Sequence, residues 1–330
     1  MMKRLDHYWY SQNPVAWVLL PLSLLFCAVS LVRRFAYVNG MLPGYTMPVP
    51  VIIVGNISVG GTGKTPLLIA LCEYLVRQGY KPGVISRGYG ASISGEYSVA
   101  ANDDAAACGD EPLLIKQRTG CPVMIGRDRV AAAKKLLAEN DCDVILSDDG
   151  MQHYRLKRDI EIAVVDTQRK FGNGFCLPAG PLREPGSRLN KVDMVVHHGK
   201  SDHKYHFSLE FGAAINLATG EQRDVESFTA EKAHAVAGIG HPGRFFRQLQ
   251  ALGVDVTEHA FPDHHAYTSS DIDYADSLPI LMTEKDAVKC KRLQSVNTVG
   301  GTYENIWAVP VSAKLSDQLG IDLTELVKQR

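Results

Sequence analysis

The stretch Val49-Pro50-Val51-Ile52-Ile53-Val54-Gly55-Asn56-Ile57-Ser58-Val59-Gly60-Gly61-Thr62-Gly63-Lys64-Thr65-Pro66 decides how the chain is read. A β-branched apolar run stops at a glycine-rich turn. The turn closes on Gly-Lys-Thr and opens onto Leu67 to Val76, whose leucines recur at helical spacing. That is the strand–loop–helix order of a phosphate-binding loop. Glycines let successive backbone N–H groups face one anion, and the helix N-terminus adds its partial positive charge. Ser58, Val59, Gly60, Gly61, Thr62, Gly63, Lys64 and Thr65 are the expected nucleotide cradle, with Lys64 on the β- and γ-phosphates and the Thr65 hydroxyl on Mg²⁺. Ser58 departs from the strict pattern, which places a glycine five residues before Gly63. Pro66 costs little, because first-turn N–H groups lack intrahelical partners.

Composition bounds the rest. A chain of 330 residues can hold two ordinary domains. Its 35 basic and 36 acidic residues nearly cancel, which gives no electrostatic case for nucleic-acid binding. Seven cysteines (27, 72, 108, 121, 142, 176, 290) are scattered without a Cys-x-x-Cys pair, a pattern of reduced thiols rather than disulfides or structural zinc.

Val15 to Val32 contains no charged residue. As a helix it would be ~27 Å long, close to the thickness of a bilayer's hydrocarbon core. Tyr8, Trp9, Tyr10 and Trp17 flank one side, with Arg33, Arg34, Phe35 and Tyr37 on the other, like an aromatic and basic girdle. Pro21 and Ser23 are tolerable in such a helix. The segment is expected to anchor the chain, spanning or lying at the interface. Lys3 and Arg4 oppose Arg33 and Arg34, so charge does not set orientation. Use of ATP would put the body after Arg34 on the cytoplasmic side.

Beyond the loop, strands are expected at Pro82–Arg87, Pro122–Ile125, Val144–Ser147, Ile160–Val165 and Met194–His197, with helices between them, most clearly Val130 to Glu139. Alternation of this kind implies a parallel sheet covered on both faces, with ligands beyond the carboxyl ends of its strands. Val144-Ile145-Leu146-Ser147-Asp148-Asp149-Gly150 is an apolar strand ending in two acids, like a Walker B segment that holds Mg²⁺ directly or through water. Cys108-Gly109-Asp110-Glu111-Pro112 reads by itself as an ordinary helix start.

In the second half, YHFSLEF and AINLATG between Tyr205 and Thr219 read as a β-hairpin or paired connector. A fresh strand over His234–Gly240, a turn at His241-Pro242-Gly243 and a helix over Arg244–Leu252 begin a smaller αβ unit. Strands at Thr257–Phe261, Pro279–Thr283 and Ile306–Val309 continue it. The expected fold is α/β: an N-terminal membrane-anchoring segment (1–40), a parallel-sheet P-loop NTPase-like domain (41–204), a β-hairpin connector (205–222) and a smaller α/β domain (223–330). The adjacent imidazoles of Phe261-Pro262-Asp263-His264-His265 lack metal-ligand spacing. Thr283-Glu284-Lys285-Asp286 sets a cation between two acids.

In series, GNISVGGTGKTP, SRGYG, GDEP, SDDGMQHYRL, AGPLREP, AGIGHPGRFF, FPDHH and TEKDA closely resemble the tetraacyldisaccharide 4'-kinase family, from the apolar segment almost to the C-terminus. Ser58 fits that family's loop. The resemblance implies transfer of the γ-phosphate of ATP, with Mg²⁺, to the 4'-hydroxyl of a tetraacylated glucosamine disaccharide 1-phosphate, a lipid A precursor, at the bacterial inner membrane. It also implies that Asp110 orients His264 as the base. Asp148, Asp149 and Glu184 would serve the metal and γ-phosphate, with Thr65, Asp149 and Glu184 as the metal set. Gln152, His153 and Arg183 would position substrate. No obligate protein partner is expected, and the two domains should close on substrate. The alternatives are a membrane-tethered P-loop NTPase and a nucleotide switch.

Overall fold

The computed structural model describes residues 5–199, 201–290 and 302–330, so Lys3 and Arg4 lie outside the described residues. The strands are β1 (Val51–Gly55), β2 (Pro82–Ser86), β3 (Tyr97–Ser98), β4 (Val123–Ile125), β5 (Val144–Asp148), β6 (Ile160–Asp166), β7 (Met194–His198), β8 (His206–Phe211), β9 (Ala214–Asn216), β10 (Gln222–Arg223), β11 (Lys232–Ala237), β12 (Asp255–Ala260), β13 (Ile280–Thr283), β14 (Ile306–Val309) and β15 (Val311–Leu315). The helices are α1 (Pro14–Val38), α2 (Lys64–Arg77), α3 (Ala105–Cys108), α4 (Asp110–Thr119), α5 (Arg129–Glu139), α6 (Pro242–Ala251), α7 (Glu284–Cys290) and α8 (Asp317–Lys328).

The phosphate-loop strand β1 lies near the middle of a nine-stranded sheet ordered β15-β8-β7-β6-β1-β5-β2-β4-β3. The strands from β8 to β4 run parallel, and β15 and β3 are antiparallel edges. All five residues of β1, β2 and β5 are buried, as expected of strands covered on both faces. One face carries Leu67, Leu68, Leu71 and Leu75 of α2 with Leu319, Leu323 and Val327 of α8; the other carries Val130, Ala133 and Leu136 of α5. Each fully buried leucine contributes ~2 kcal/mol of apolar transfer energy.

A second, six-stranded sheet runs β10-β9-β14-β13-β11-β12, with β11 to β14 parallel. Its two cores centre on Phe228, Phe246 and Leu249, and on Tyr267, Ile280 and Met282.

The expected hairpin is not formed. β8 pairs with β7 and β15 in the first sheet, whereas β9 pairs with β14 and β10 in the second. The alternation in both runs is real, but it serves two different half-covered edges. The C-terminal segment also returns: β15 and α8 complete the first sheet, so the second is an insertion between β8 and β15. The chain passes out through Gly212-Ala213 and back through Pro310, and the Gly212 N–H donates to the Pro310 carbonyl at 2.9 Å.

Helix α1 runs along the body without leaving it. Ser23 Oγ donates to the Cys176 carbonyl (2.7 Å) and Trp17 meets Phe175 edge-on, while Tyr37 stacks on Tyr154. Upstream of the helix, Trp9 Nε1 donates to the Pro178 carbonyl (3.0 Å). Only Ala16 and Ser23 of the helix are buried, and Val18, Leu24, Leu25, Val29 and Val32 face outward.

Candidate active site

The strand order dictates where the site lies, because β1, β5, β6 and β7 all end on the same edge. Between β1 and α2, Gly63 adopts φ +88°, and a Cβ there would come within 2.7 Å of His198 Nδ1. Glycine is therefore required for both backbone conformation and room. Asn56 braces the loop, donating to Thr62 Oγ1 (3.0 Å) and accepting from Lys64 Nζ (3.3 Å). Lys64 also lies 3.6 Å from Asp149. Lys64 and Thr65 open α2, where first-turn N–H groups are without helical acceptors.

Asp148 ends β5 and is buried, and its Oδ1 has no hydrogen-bond partner. Burial first, then the negative charges of Glu111 and Asp149, push its pKa up to about 7. Asp149 sits at φ 46°, a left-handed turn that aspartate tolerates. Burial pushes its acidity down, but Lys64 and Arg183 outweigh that and hold it at about 2. Arg183 Nη1 donates to both Asp149 oxygens (3.0 and 2.9 Å) and to Gln152 Oε1 (3.3 Å). Gln152 in turn donates to Glu184 (2.9 Å), and Tyr154 donates to the other Glu184 oxygen (2.5 Å).

The expected site residues thus fall into connected groups. Lys64, Asp149, Arg183, Gln152 and Glu184 form one chain of ion pairs and hydrogen bonds beside the phosphate loop. Asp148 carries the unsatisfied buried oxygen, and Glu184 has both oxygens engaged. Among the described residues no cluster of three or more His, Cys, Asp or Glu forms a preassembled metal cage. That fits Mg²⁺, which is bound through one or two carboxylates and completes its shell with phosphate oxygens and water. Thr65, Asp148, Asp149 and Glu184 are oxygen donors of the kind it takes; Asp149, like Glu184, has both oxygens engaged, here by Arg183.

His153 stands apart from this chain. It lines a cleft of about 360 Å³ with Arg33, Tyr37, Arg127, Arg129 and Arg155, at the C-terminal end of α1. Burial, then Arg129 and Arg87, push the His153 pKa down to about 4, so its imidazole is neutral.

The second unit closes the site from the other side. Asp110, first residue of α4, meets His264, which follows β12, with Nδ1 2.9 and 3.1 Å from the two carboxylate oxygens. A carboxylate only accepts, so Nδ1 carries a proton, and in the neutral ring Nε2 is the nitrogen with the lone pair. The Asp110 bond raises the His264 pKa against the opposing effects of burial and Lys285. Burial opposes ionisation of Asp110, but the His264 bond and Lys285 hold its pKa below the usual carboxylate value. His265 points elsewhere, to Asp271 at 3.3 Å.

Further residues, unassigned from the sequence, join the two units. Arg244 of α6 pairs with Asp166 (2.5 Å) and lies across the His198 ring, whose Nδ1 donates to the Thr62 carbonyl (2.9 Å). Burial, then Arg244, push the His198 pKa down to about 4. Gly240 packs directly on Gly61: a Cβ on Gly240 would sit 2.5 Å from the Gly61 nitrogen. The legible signal was position, since Asp166 and His198 end strands at the shared edge and Gly240 follows β11 of the second sheet.

A strand, glycine-rich loop and Gly-Lys-Thr helix start at the edge of a parallel sheet define a P-loop NTPase-like fold. Residues 15–328 match the family LpxK, described as Tetraacyldisaccharide-1-P 4'-kinase, and the chain belongs to that family. It is 47% identical over 324 residues to the tetraacyldisaccharide 4'-kinase of Nitrosococcus oceani, covering 98% of this chain and 94% of that one. It is 49% identical over 294 residues to the enzyme of that name from Pseudomonas aeruginosa, covering 88% and 89%. Its fold matches the crystal structure of LpxK from Aquifex aeolicus in complex with ATP, with a TM-score of 0.78, 29% identity and coverage of 96% and 99%.

Proposed function

We propose that the chain transfers the γ-phosphate of ATP to the 4'-hydroxyl of a tetraacylated glucosamine disaccharide 1-phosphate, the lipid A precursor kinase reaction. Family membership over residues 15–328 supports the reaction class. The observation that carries the residue assignment is the His264 Nδ1–Asp110 bond, which joins the two units and leaves Nε2 to accept a proton. In this scheme Nε2 takes the 4'-hydroxyl proton as the oxygen–phosphorus bond forms and the bond to the ADP oxygen breaks. The resulting imidazolium is stabilised by Asp110. Lys64 and the loop N–H groups hold the phosphates, and Arg183 and Gln152 fix Asp149 and Glu184. Mg²⁺ would be held by Asp148, Asp149 and Thr65, and supplies neutralisation of charge on the phosphates.

The basic cleft around Arg33, Arg127, Arg129 and Arg155 supports a place for the 1-phosphate, where guanidinium groups suit a phosphate dianion. Residues at both ends of α1 touch the same body, through Trp9 and Tyr37. That supports α1 lying in the plane of the inner membrane's cytoplasmic leaflet, its outward apolar face in lipid, rather than crossing to the far side. The two short passes at Gly212-Ala213 and Pro310 support a second unit that closes over the lipid head group and excludes water.

Incubation with γ-labelled ATP, Mg²⁺ and the detergent-dispersed disaccharide lipid tests the proposal. Label must appear in the lipid. Release of label only as inorganic phosphate would replace this reading with that of an NTPase or switch.

A further inference from the structure

The Thr283-Glu284-Lys285-Asp286 segment carries a lysine that the transfer scheme leaves unused. Lys285 stands in the first turn of α7, its side chain 15% exposed, with Nζ 2.9 Å from Glu111, 3.2 Å from Asp263 and 3.9 Å from Asp110. Two of these acids stand beside the proposed base, and the third adjoins Asp110. Asp110 holds Nδ1 of His264, Asp263 lies 3.9 Å from its Nε2, and Glu111 follows Asp110 on α4. Tyr89 packs on the imidazole with ring centroids 4.8 Å apart. Lys289, the other cation of α7 in this region, is paired with Asp286 at 2.7 Å.

Carboxylates beside an imidazole favour the imidazolium, which cannot accept a proton. Docking of the two units does not by itself call for Lys285, because Arg118 of α4 already pairs with Glu284 of α7 at 2.8 Å. We propose that Lys285 is a positioning residue for phosphoryl transfer: its ammonium balances Asp110, Glu111 and Asp263, so that Asp110 can orient His264 without holding it protonated. This rests on His264 acting as the base.

The test uses the full chain with labelled histidines, the His264 signal being assigned by its loss in His264→Gln. NMR titration gives the His264 pKa, and kcat is measured against pH at saturating ATP. Lys285→Met is expected to raise the His264 pKa by about one unit and to move the acidic limb of kcat upward by the same amount, with activity recovering at high pH. Lys285→Arg should restore both to the wild-type values. Glu111→Gln, which removes an acid instead of the cation, should shift both downward and carries the test if Lys285→Met does not fold. An unmoved His264 pKa in the folded variants overturns the role of Lys285. A pKa that moves while the acidic limb stays put overturns it too, and places the fault in His264 as the base.

Discussion

At the scale of single residues, the Asp110–His264 bond makes two separable predictions. His264→Ala should lower kcat by about 10²- to 10⁴-fold while leaving the KM for ATP near the wild-type value, since in the proposed scheme the imidazole acts on the acceptor hydroxyl and not on the nucleotide. Steady-state kinetics with both substrates varied would check this, and an unchanged kcat removes His264 from the chemistry. The same bond couples stability to pH. The His264 pKa is raised, so its contribution is complete below its unfolded value and is lost as pH rises through the folded one. The Asp110 pKa is lowered, so its contribution is present above the unfolded value and is lost as pH falls through the folded one. Both are in force between about pH 4 and pH 6.5. Asp110→Asn should therefore cost more stability at pH 6 than at pH 8.5, a difference that thermal melts at the two pH values would reveal. What the sequence disclosed at this scale was uneven. Lys64 and the Asp148-Asp149 pair announce themselves by local pattern, whereas Asp110 reads alone as a helix-start acid. Its partner lies 154 residues away, and no local rule joins them. Arg244, Asp166 and His198 were unread for the same reason: each is ordinary until the two sheets meet.

At the scale of elements, the last helix carries more than its position suggests. Leu319, Leu323 and Val327 of α8 are buried in the same core as Leu67, Leu71 and Leu75 of α2, directly behind the phosphate loop. At ~2 kcal/mol per buried side chain, truncation after Ser316 should remove ~6 kcal/mol from the main sheet. Loss of a cooperative melting transition, together with loss of ATP binding, would check it; a truncated chain that still binds ATP would contradict it. The elements with strong periodicity were readable from sequence, including β1, α2, β5, α5 and β14, nearly to the residue. β15 and α8 were not read, and the expected smaller domain over 223–330 wrongly took in residues that return to the first sheet. Their pattern reveals a strand and an amphipathic helix without saying which sheet they cover. The paired reading of β8 and β9 failed on the same ambiguity: alternation specifies a half-buried strand but not its neighbour. Contact between Gly240 and Gly61 adds a prediction between elements. Gly240→Val would drive a side chain into the loop backbone and should raise the KM for ATP at least tenfold, measurable by nucleotide-binding titration.

At the scale of the whole molecule, α1 turns an apolar face outward, and the basic cleft that the proposed reading gives to the 1-phosphate lies beside its C-terminal end. Replacing Leu24, Leu25 and Val29 with Asp should abolish sedimentation with anionic vesicles and depress turnover of lipid in bilayers, while ATP binding persists. Turnover of a short-chain, water-soluble acceptor would separate lost membrane contact from a damaged site. The insertion of the second unit has a different kind of consequence. A body tethered by a single strand can swivel about that strand as well as swing. Here two chain passes lie side by side, bonded from Gly212 to Pro310, so swivelling would shear one pass against the other. Of the rotational freedoms open to a loosely attached domain, essentially one axis survives. In the proposed closure His264 would then travel a fixed arc, and accuracy in delivering the base would be a property of chain connectivity before any substrate is bound.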